Sequence, residues 1–561
     1  MRAVVISGGS GNDALLKGLY AMYPQINLSI IVNAYDDGKS TGVCRMITDT
    51  LGVSDIRKNH SRLYQISHFK SLNGNVVQFF DARFDLPKGN ELNFVCKKLS
   101  EWELDFFAPY ACSFFANEKA LDFEYTNFSI ANIVYSAMYQ VMGYTKANDM
   151  ICEKFDIPNV VLLNSFENVT LGAQTNKGVL YNEASIVDLA NEDKKIESLI
   201  YDSETPVAIN PVVIDTLENA DMIIISCGTF WSSILPTLEY GGLYRAINKA
   251  KGFKLWVMNN EQDKDSYGVG SNEFLKVTSD LGLDLSKFVI LENNDAHETL
   301  REKSEDYDIA YYNMGNVRGK HLPMELAKAI FKEYFGLREC RYEHILMDFD
   351  NTISSKNVAD THIVVENLME IAARPNIQIV SGNDYKTAIL PVIKQCGLDL
   401  PNNVWADASS VLYVGDNKKF VVKKHLINKN AIKFLAKYIY GNFGVVGDVN
   451  NDDYISCYKI KPLSALERSL LIKHLNGYVF KAYGIKGLKA IPAGRTTVDI
   501  VAKKNSKANI FVAYKLDPNK CLYIGDETED YGNDYEIAHA CAHYVRVANV
   551  YETNIVLKVM K

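Results

Sequence analysis

At 561 residues the chain exceeds one ordinary core, since domains of roughly 100–200 residues are the norm, so several are expected. Its 47% hydrophobic and 23% charged residues are those of a folded globular protein, and the low hydrophobicity that marks disorder is absent. A formal net charge of -8 argues against a nucleic acid partner, which would require a basic face.

The ten cysteines form no C-x-x-C pair and no Cys/His cluster, which supports neither a zinc site nor a disulfide framework and fits a reducing cytoplasm. The opening MRAVVISGG leaves no room for a signal peptide, and no apolar run approaches the roughly 18 residues of a membrane span. A cytoplasmic protein with no membrane partner is the expectation.

In chain order, AVVIS, ALLKGLYAMY and LSIIVNAY alternate strand and helix patterns, and MIIIS and KLWVMN continue the rhythm. Such alternation predicts an α/β domain with a parallel sheet over residues 1–335. The helix PMELAKAIFKEYF closes on Gly336, and 336–342 reads as a linker. The strands HILMDF, IQIVSG and KCLYIGD then predict a second parallel-sheet domain over 343–418 and 501–561. Between them, 419–500 changes texture and reads as an α+β insert, a cap on the second sheet. The fold class expected is therefore α/β with two Rossmann-like domains, the second capped.

In the first half, VVISGGSGNDALLKGL places Gly9-x-Gly11-x-x-Ala14 between a strand and a helix, where backbone N–H groups can approach a phosphate. The next strand ends in NAYDDGKSTG with paired acids Asp36 and Asp37, and VSDIRKNHSRL follows. ADMIIISCGTFWSSILP and KLWVMNNEQDKDSYG repeat the strand-to-polar-loop pattern. Together these stretches resemble the 2-phospho-lactate transferase family and its gluconeogenesis-factor relatives, which bind nucleotide sugars. The resemblance implies that Gly8, Gly9, Ser10 and Gly11 touch a nucleotide or nucleotide sugar, with Gly228, Thr229 and Asn259 beside it. It puts Asp36 and Asp37 toward the acceptor or a metal. Ser226 and Cys227 replace the Gly-Pro usual in that family.

In the second half, Asp348 and Asp350 leave a strand end on the same side, so one can attack phosphorus while the other protonates the leaving oxygen. IVSGN and YIGDETEDYGNDYEIA end two further strands with Ser381, Asp526, Asn533 and Asp534. Were these ends to converge, each carboxylate pair about 4 Å apart would cost roughly 4 kcal/mol at an effective dielectric near 20. A divalent cation resolves that repulsion, and all-oxygen donors with a phosphate substrate favour Mg²⁺.

This half resembles the haloacid dehalogenase superfamily, and GDETEDYGNDYEI is most similar to its capped phosphomannomutase and phosphatase branch. The resemblance implies a nucleophile at Asp348 and a general acid and base at Asp350. Mg²⁺ would be held by Asp348, the backbone carbonyl of Asp350 and Asp526, with Asn533 and Asp534 supporting it. Thr352, Ser381, Gly382 and Asn383 would bind the phosphoryl group. Lys507 would balance its charge, with Lys503 as the alternative, although Ala508 stands where a glycine commonly follows.

Three whole-chain readings follow. One is a bifunctional enzyme, a transferase-like domain joined to a phosphatase acting on a small phosphorylated metabolite or sugar phosphate. Another is a nucleotide-sugar sensor fused to that phosphatase, and the third a scaffold with two inactive sites. A phosphosugar mutase using Lys461, Arg468 or Arg495 of the cap is the alternative to hydrolysis, and a homodimer is compatible with any of them.

Overall fold

The computed structural model describes the chain except residues 10, 188, 190–193, 203–207, 267–268, 298–305, 356–360, 362–363, 365, 368–375, 396–402, 407–410, 415–417, 422–425, 450–454, 462, 494–495 and 531. Ser10 and Arg495 thus lie outside the described residues. The chain divides into two compact units, Met1–Ile330 and Phe331–Lys561. The division falls within the helix Pro323–Tyr334, shortly before the linker expected at 336–342.

In the first unit β1 (Arg2–Ile6), β2 (Asn27–Val32) and β3 (Val161–Leu163) are followed by β4 (Leu171–Thr175), β5 (Gly178–Leu180) and β6 (Ile196–Tyr201). Then come β7 (Met222–Ile225), β8 (Phe253–Val257), β9 (Phe288–Asn293) and β10 (Asp308–Tyr312). Seven of them form a sheet ordered β10-β9-β8-β7-β1-β2-β3, parallel throughout. The unbroken apolar runs explain the layout: Ala3 to Ile6 and all of β7 are buried, as strands covered on both faces must be. β4, β5 and β6 make a separate antiparallel sheet ordered β5-β4-β6. Strand order reverses between β1 and β7, so their carboxyl ends open a crevice, the place where doubly wound sheets bind ligands.

The second unit repeats the plan with β11 (His344–Met347), β12 (Asn376–Val380), β13 (Asn403–Ala406), β14 (Val411–Val414) and β15 (Lys418–Val421). After an insert, β20 (Cys521–Gly525) and β21 (His543–Arg546) complete a sheet ordered β15-β14-β13-β12-β11-β20-β21. Strands β13, β12, β11, β20 and β21 run parallel, whereas β14 and β15 turn back antiparallel at one edge. Here the order reverses between β11 and β20, which carry Asp348 and Asp526 at their ends.

The insert holds β16 (Gly447–Val449), β17 (Cys457–Ile460), β18 (Leu488–Ala493) and β19 (Thr497–Ala502) in an antiparallel sheet ordered β16-β17-β19-β18. Its helices are Lys429–Phe443 and Ala465–His474, the latter started by a reciprocal Ser464–Glu467 capping box. Leu435, Ile439, Ile460, Leu475, Val479, Val498 and Ile500 fill a core of its own. The limits expected at 419 and 500 cut two strands: β15 continues the main sheet to Val421, and β19 belongs to the insert to Ala502.

Candidate functional site

In the first unit the glycine turn runs from β1 into helix α1 (Asp13–Met22). Gly11 must be glycine, because a β-carbon there would lie 2.1 Å from the carbonyl oxygen of Cys227. This close approach joins the β1 and β7 loops at the mouth of the crevice. Gly11→Ala is therefore expected to cost about 1–3 kcal/mol of stability, as overpacking against backbone does. Urea titration reads it, with Gly74→Ala, whose β-carbon would meet nothing within 4 Å, as the control.

The helix α2 (Ser54–Ser67) explains how the turn is held. It is rich in polar residues yet buries Asp55, Arg57, Asn59, His60 and Ser61. The Asn59 side-chain amide donates to the carbonyls of Gly8 (3.3 Å) and Asp55 (2.8 Å) and accepts from Asn12 at 2.7 Å. The Arg62 guanidinium donates to the Gly9 carbonyl and, at 2.9 Å, to Asn12 Oδ1. Buried polar groups satisfied this fully fix one loop geometry.

A cavity of about 610 Å³ opens beside this turn. Gly11, Gly228, Thr229 and Asn259 line it together with the basic residues Lys17, Lys58, Arg62, Arg318 and Lys320 and the acids Asp13, Asp81, Glu261 and Asp263. Asn259 is a brace: it accepts from Gly228 N–H at 2.9 Å and donates to the Gly228 carbonyl at 3.0 Å and to Asp263 at 2.8 Å. The Thr229 hydroxyl is engaged with Ser232 (2.8 Å) and Ser233 (3.0 Å).

Asp36 and Asp37 sit half-buried, accepting from the N–H groups of Gly38 (2.9 Å) and Ala184 (3.2 Å). Two further acids stand near this loop: Asp55, within the quoted VSDIRKNHSRL but given no role there, and Glu183, outside every motif. Asp55 is buried, and Glu183 is raised to about 9 by burial and then by the charges of Asp36, Asp55 and Asp37. No local pattern marks Glu183, which folds back onto the acidic loop from far along the chain.

In the second unit the strand ends bring Asp348, Asp526 and Asp534 together, with carboxylate oxygens within 4.8 Å of one another. Asp348 is 3% exposed, and its N–H donates to the Ile524 carbonyl at 2.9 Å, which fixes the end of β11 against β20. Lys507, buried, places its ammonium 2.5 Å from Asp348 Oδ1 and also pairs with Asp534. Burial opposes the charge of Lys507, but the two carboxylates outweigh it and its pKa is raised. Lys503 is exposed, so Lys507 is the lysine placed at the aspartates. Gly525 makes room for Asp534, whose Oδ2 would lie 2.5 Å from a β-carbon there.

Burial, followed by the charge of Asp534, pushes the Asp348 carboxyl well above the usual range. Asp526, half-buried and accepting from Asn351 at 3.0 Å, is pushed up to about 6, chiefly by burial. One lysine does not neutralise three acids. The all-oxygen donor set of Asp348, Asp526 and Asp534 suits a divalent ion, which would relieve the repulsion among the three carboxylates.

Asp350 reaches outward from the turn, and enclosure by the cleft walls raises its pKa. Its Oδ2 accepts from the Asn383 amide at 2.5 Å, and Asn383 Oδ1 accepts from Lys459 of β17 at 2.9 Å. Ser381 is buried and accepts the Asn383 N–H at 3.0 Å. The Thr352 hydroxyl and Asn533 Oδ1 are buried without a partner. Gly382, Asn533 and Lys507 line a cavity of about 980 Å³ whose other walls come from the insert. Of the mutase candidates, Lys461 is exposed and does not line that cavity, and neither does Arg468. Lys459 and Asp499 are residues the motif reading missed; the signal available was an acid inside the apolar strand TVDIVA.

Among the described residues, no helix is long and apolar enough to cross a membrane. Structural similarity reaches a upf0052-family protein from Bacillus halodurans, at 18% identity and a TM-score of 0.47 over 59% of this chain and 99% of that one. It also reaches the sucrose-phosphatase of Synechocystis sp. PCC6803, at 15% identity and a TM-score of 0.29 over 39% of this chain and 98% of that one. In sequence, the chain is 26% identical to the gluconeogenesis factor of Listeria innocua over 46% of its own length and 66% of the relative's, just under two thirds. It is 22% identical to that of Bacillus subtilis over 66% of its length and 98% of the relative's. Residues 3–321, more than half of the chain and nearly all of the glycine-turn unit, match the model of one family. The chain therefore belongs to the 2-phospho-L-lactate transferase CofD family.

Proposed function

We propose that the chain joins a nucleotide- or nucleotide-sugar-binding, transferase-like unit to a Mg²⁺-dependent phosphohydrolase acting on a small phosphorylated metabolite, in the cytoplasm. The observation that carries the second part is Lys507, buried between Asp348 and Asp534 where the strand order reverses, with Asp526 beside them.

The chemistry follows from these positions. An oxygen of Asp348 attacks phosphorus, the P–O ester bond breaks, and Asp350 gives its proton to the leaving alcohol. Asp350 then takes a proton from a water, which attacks the aspartyl phosphate and releases inorganic phosphate. Lys507 favours the ionised form of Asp348 and orients it. The buried Thr352 hydroxyl, which has no partner in the chain, and the Ser381–Gly382 turn would receive phosphoryl oxygens. When bound by Asp348, Asp526 and the Asp350 carbonyl, Mg²⁺ supplies positive charge against the phosphoryl oxygens.

Metal affinity is expected to fall about tenfold per pH unit below about 6, where Asp526 takes up a proton. The sign for stability is opposite. A carboxyl raised above its unfolded value near about 4 makes the metal-free protein lose stability as pH rises from about 4 through 6. Thermal melts with and without Mg²⁺ at pH 5 and 7.5 read both effects, and Mg²⁺ is expected to stabilise more at the higher pH.

For the first unit, the cavity beside the glycine turn, where Lys17, Lys58, Arg62, Arg318 and Lys320 stand among the acids Asp13, Asp81, Glu261 and Asp263, supports a phosphate-bearing ligand. The test is to incubate the chain with Mg²⁺, an aryl phosphate and a nucleotide sugar. Consumption of the nucleotide sugar supports transfer, whereas altered aryl phosphate turnover without its consumption supports a sensor. Neither effect, together with no binding by calorimetry, overturns the nucleotide reading.

A further inference from the structure

The insert differs from the rest of the chain in charge. Residues 426–502 hold eleven lysines and arginines against five aspartates and glutamates, a net charge of +6 within a chain whose total is -8. Its helices Lys429–Phe443 and Ala465–His474 pack on one face of its sheet, over Tyr458, Ile460, Val498 and Ile500. Lys459 and Asp499, which alternate with those residues, face the other way, toward Asn383 and the cavity.

A surface helix normally keeps polar residues outward, and these two do not. Leu466 and Leu470 are 71% and 57% exposed, one turn apart and opposite the buried Leu471 and Leu475. Phe434 on the first helix, and Tyr478 and Tyr483 beyond the second, are exposed as well. Rings join the helices: Tyr438 stacks on His474 with centroids 6.2 Å apart, His474 on Tyr478 at 5.6 Å, and Phe434 lies 4.9 Å from Tyr483. Lys433, Lys437 and Lys473 stand exposed beside this apolar strip, while Glu467, the acid of these helices, is engaged in the capping box. None of these side chains lines the cavity at the aspartates.

Charge separates the partners such a strip could take. A second copy would set Lys433, Lys437 and Lys473 against their own images, and like charges across an interface oppose it. Exposed leucines offer nothing to a nucleic acid base, and Tyr438 and His474 already spend ring faces on each other, so a single strand gains little stacking. An anionic bilayer uses both components, because aliphatic and aromatic side chains enter the headgroup boundary while lysines meet lipid phosphates.

We propose that the outer face of the two insert helices docks the chain on the surface of a membrane rich in anionic lipid, peripherally and without spanning it. The proposal is independent of the phosphohydrolase reading.

Co-sedimentation of the full chain with phosphatidylcholine vesicles, with and without phosphatidylglycerol, at about 0.05 and 0.5 M salt tests it. Binding is expected only with phosphatidylglycerol, and to weaken at least about tenfold at the higher salt. Lys433→Ala with Lys437→Ala is expected to weaken it about tenfold or more, and Leu466→Ser with Leu470→Ser by a similar factor. Circular dichroism and thermal melts verify folding, and should one double variant fail to fold, the other carries the comparison. No binding, equal binding to both kinds of vesicle, or unchanged binding by a folded variant overturns the proposal. Self-association in sedimentation velocity that the leucine variant abolishes, or retention of poly(U), with no vesicle binding in either case, overturns it in favour of a second copy or a single strand.

Discussion

Asp348→Asn is expected to lower kcat for phosphate-ester hydrolysis by at least about 10⁴-fold, because the amide removes the attacking oxygen rather than merely weakening a contact. The geometry makes the substitution informative. Asp348 is buried beside Asp526 and Asp534, so exchanging a charge for an amide of the same shape relieves repulsion. Lys507 keeps Asp534 as a partner. The thermal midpoint of the metal-free variant is therefore expected to stay level or rise while activity disappears, and differential scanning fluorimetry beside a phosphate-release assay reads both. A variant with wild-type turnover would remove Asp348 from the chemistry.

Lys507→Met is expected to be the most damaging change to the second unit. Removing the cation leaves Asp348 and Asp534 buried without it, and breaking a buried pair in this way costs about 3–5 kcal/mol. Turnover is expected to fall about 10²–10³-fold as well, the usual loss when a preorganised charge at a reacting group is removed. The loss of stability has a pH sign. Without Lys507 the Asp348 carboxyl protonates more readily, so the destabilisation is expected to be smaller at pH 5 than at pH 7.5. The double variant Asp348→Asn, Lys507→Met is expected to recover part of it, because one orphaned charge is gone; additive losses would show that the pair is not coupled. Guanidinium titrations at both pH values give these numbers.

The strand-end residues were legible in the sequence because their signal is local. A run of buried aliphatics must stop where the strand stops, so Asp348 after HILM, Ser381 after IQIV and Asp526 after CLYIG mark the edge that faces ligand. The reversal of strand order between β11 and β20 then places those ends beside each other, which no single motif encodes. Lys507 was implied by the resemblance, with Lys503 as the alternative, but its double pairing to Asp348 and Asp534 depends on the insert returning its chain to the core.

Other features depend on contacts that sequence spacing does not carry. Asn259 was expected beside a nucleotide, and the structure shows it holding the Gly228 turn through both backbone groups. Asp55 lies in a helix whose polar residues point inward, against the usual amphipathic pattern, because they satisfy the glycine turn. Glu183 joins Asp36 and Asp37 across a long stretch of chain and has no motif of its own. The insert boundaries moved for a related reason: β15 and β19 are continuous strands, and composition changes do not respect hydrogen-bond ladders.

The hydrolase reading turns on a covalent step at one residue. Acid-quenching the full chain during turnover of a phosphate monoester with Mg²⁺, followed by peptide mass spectrometry, tests it most directly. The expected result is the mass of one phosphoryl group on the peptide that contains Asp348, absent from Asp348→Asn. Turnover with no such adduct, or an adduct that persists in Asp348→Asn, would contradict it.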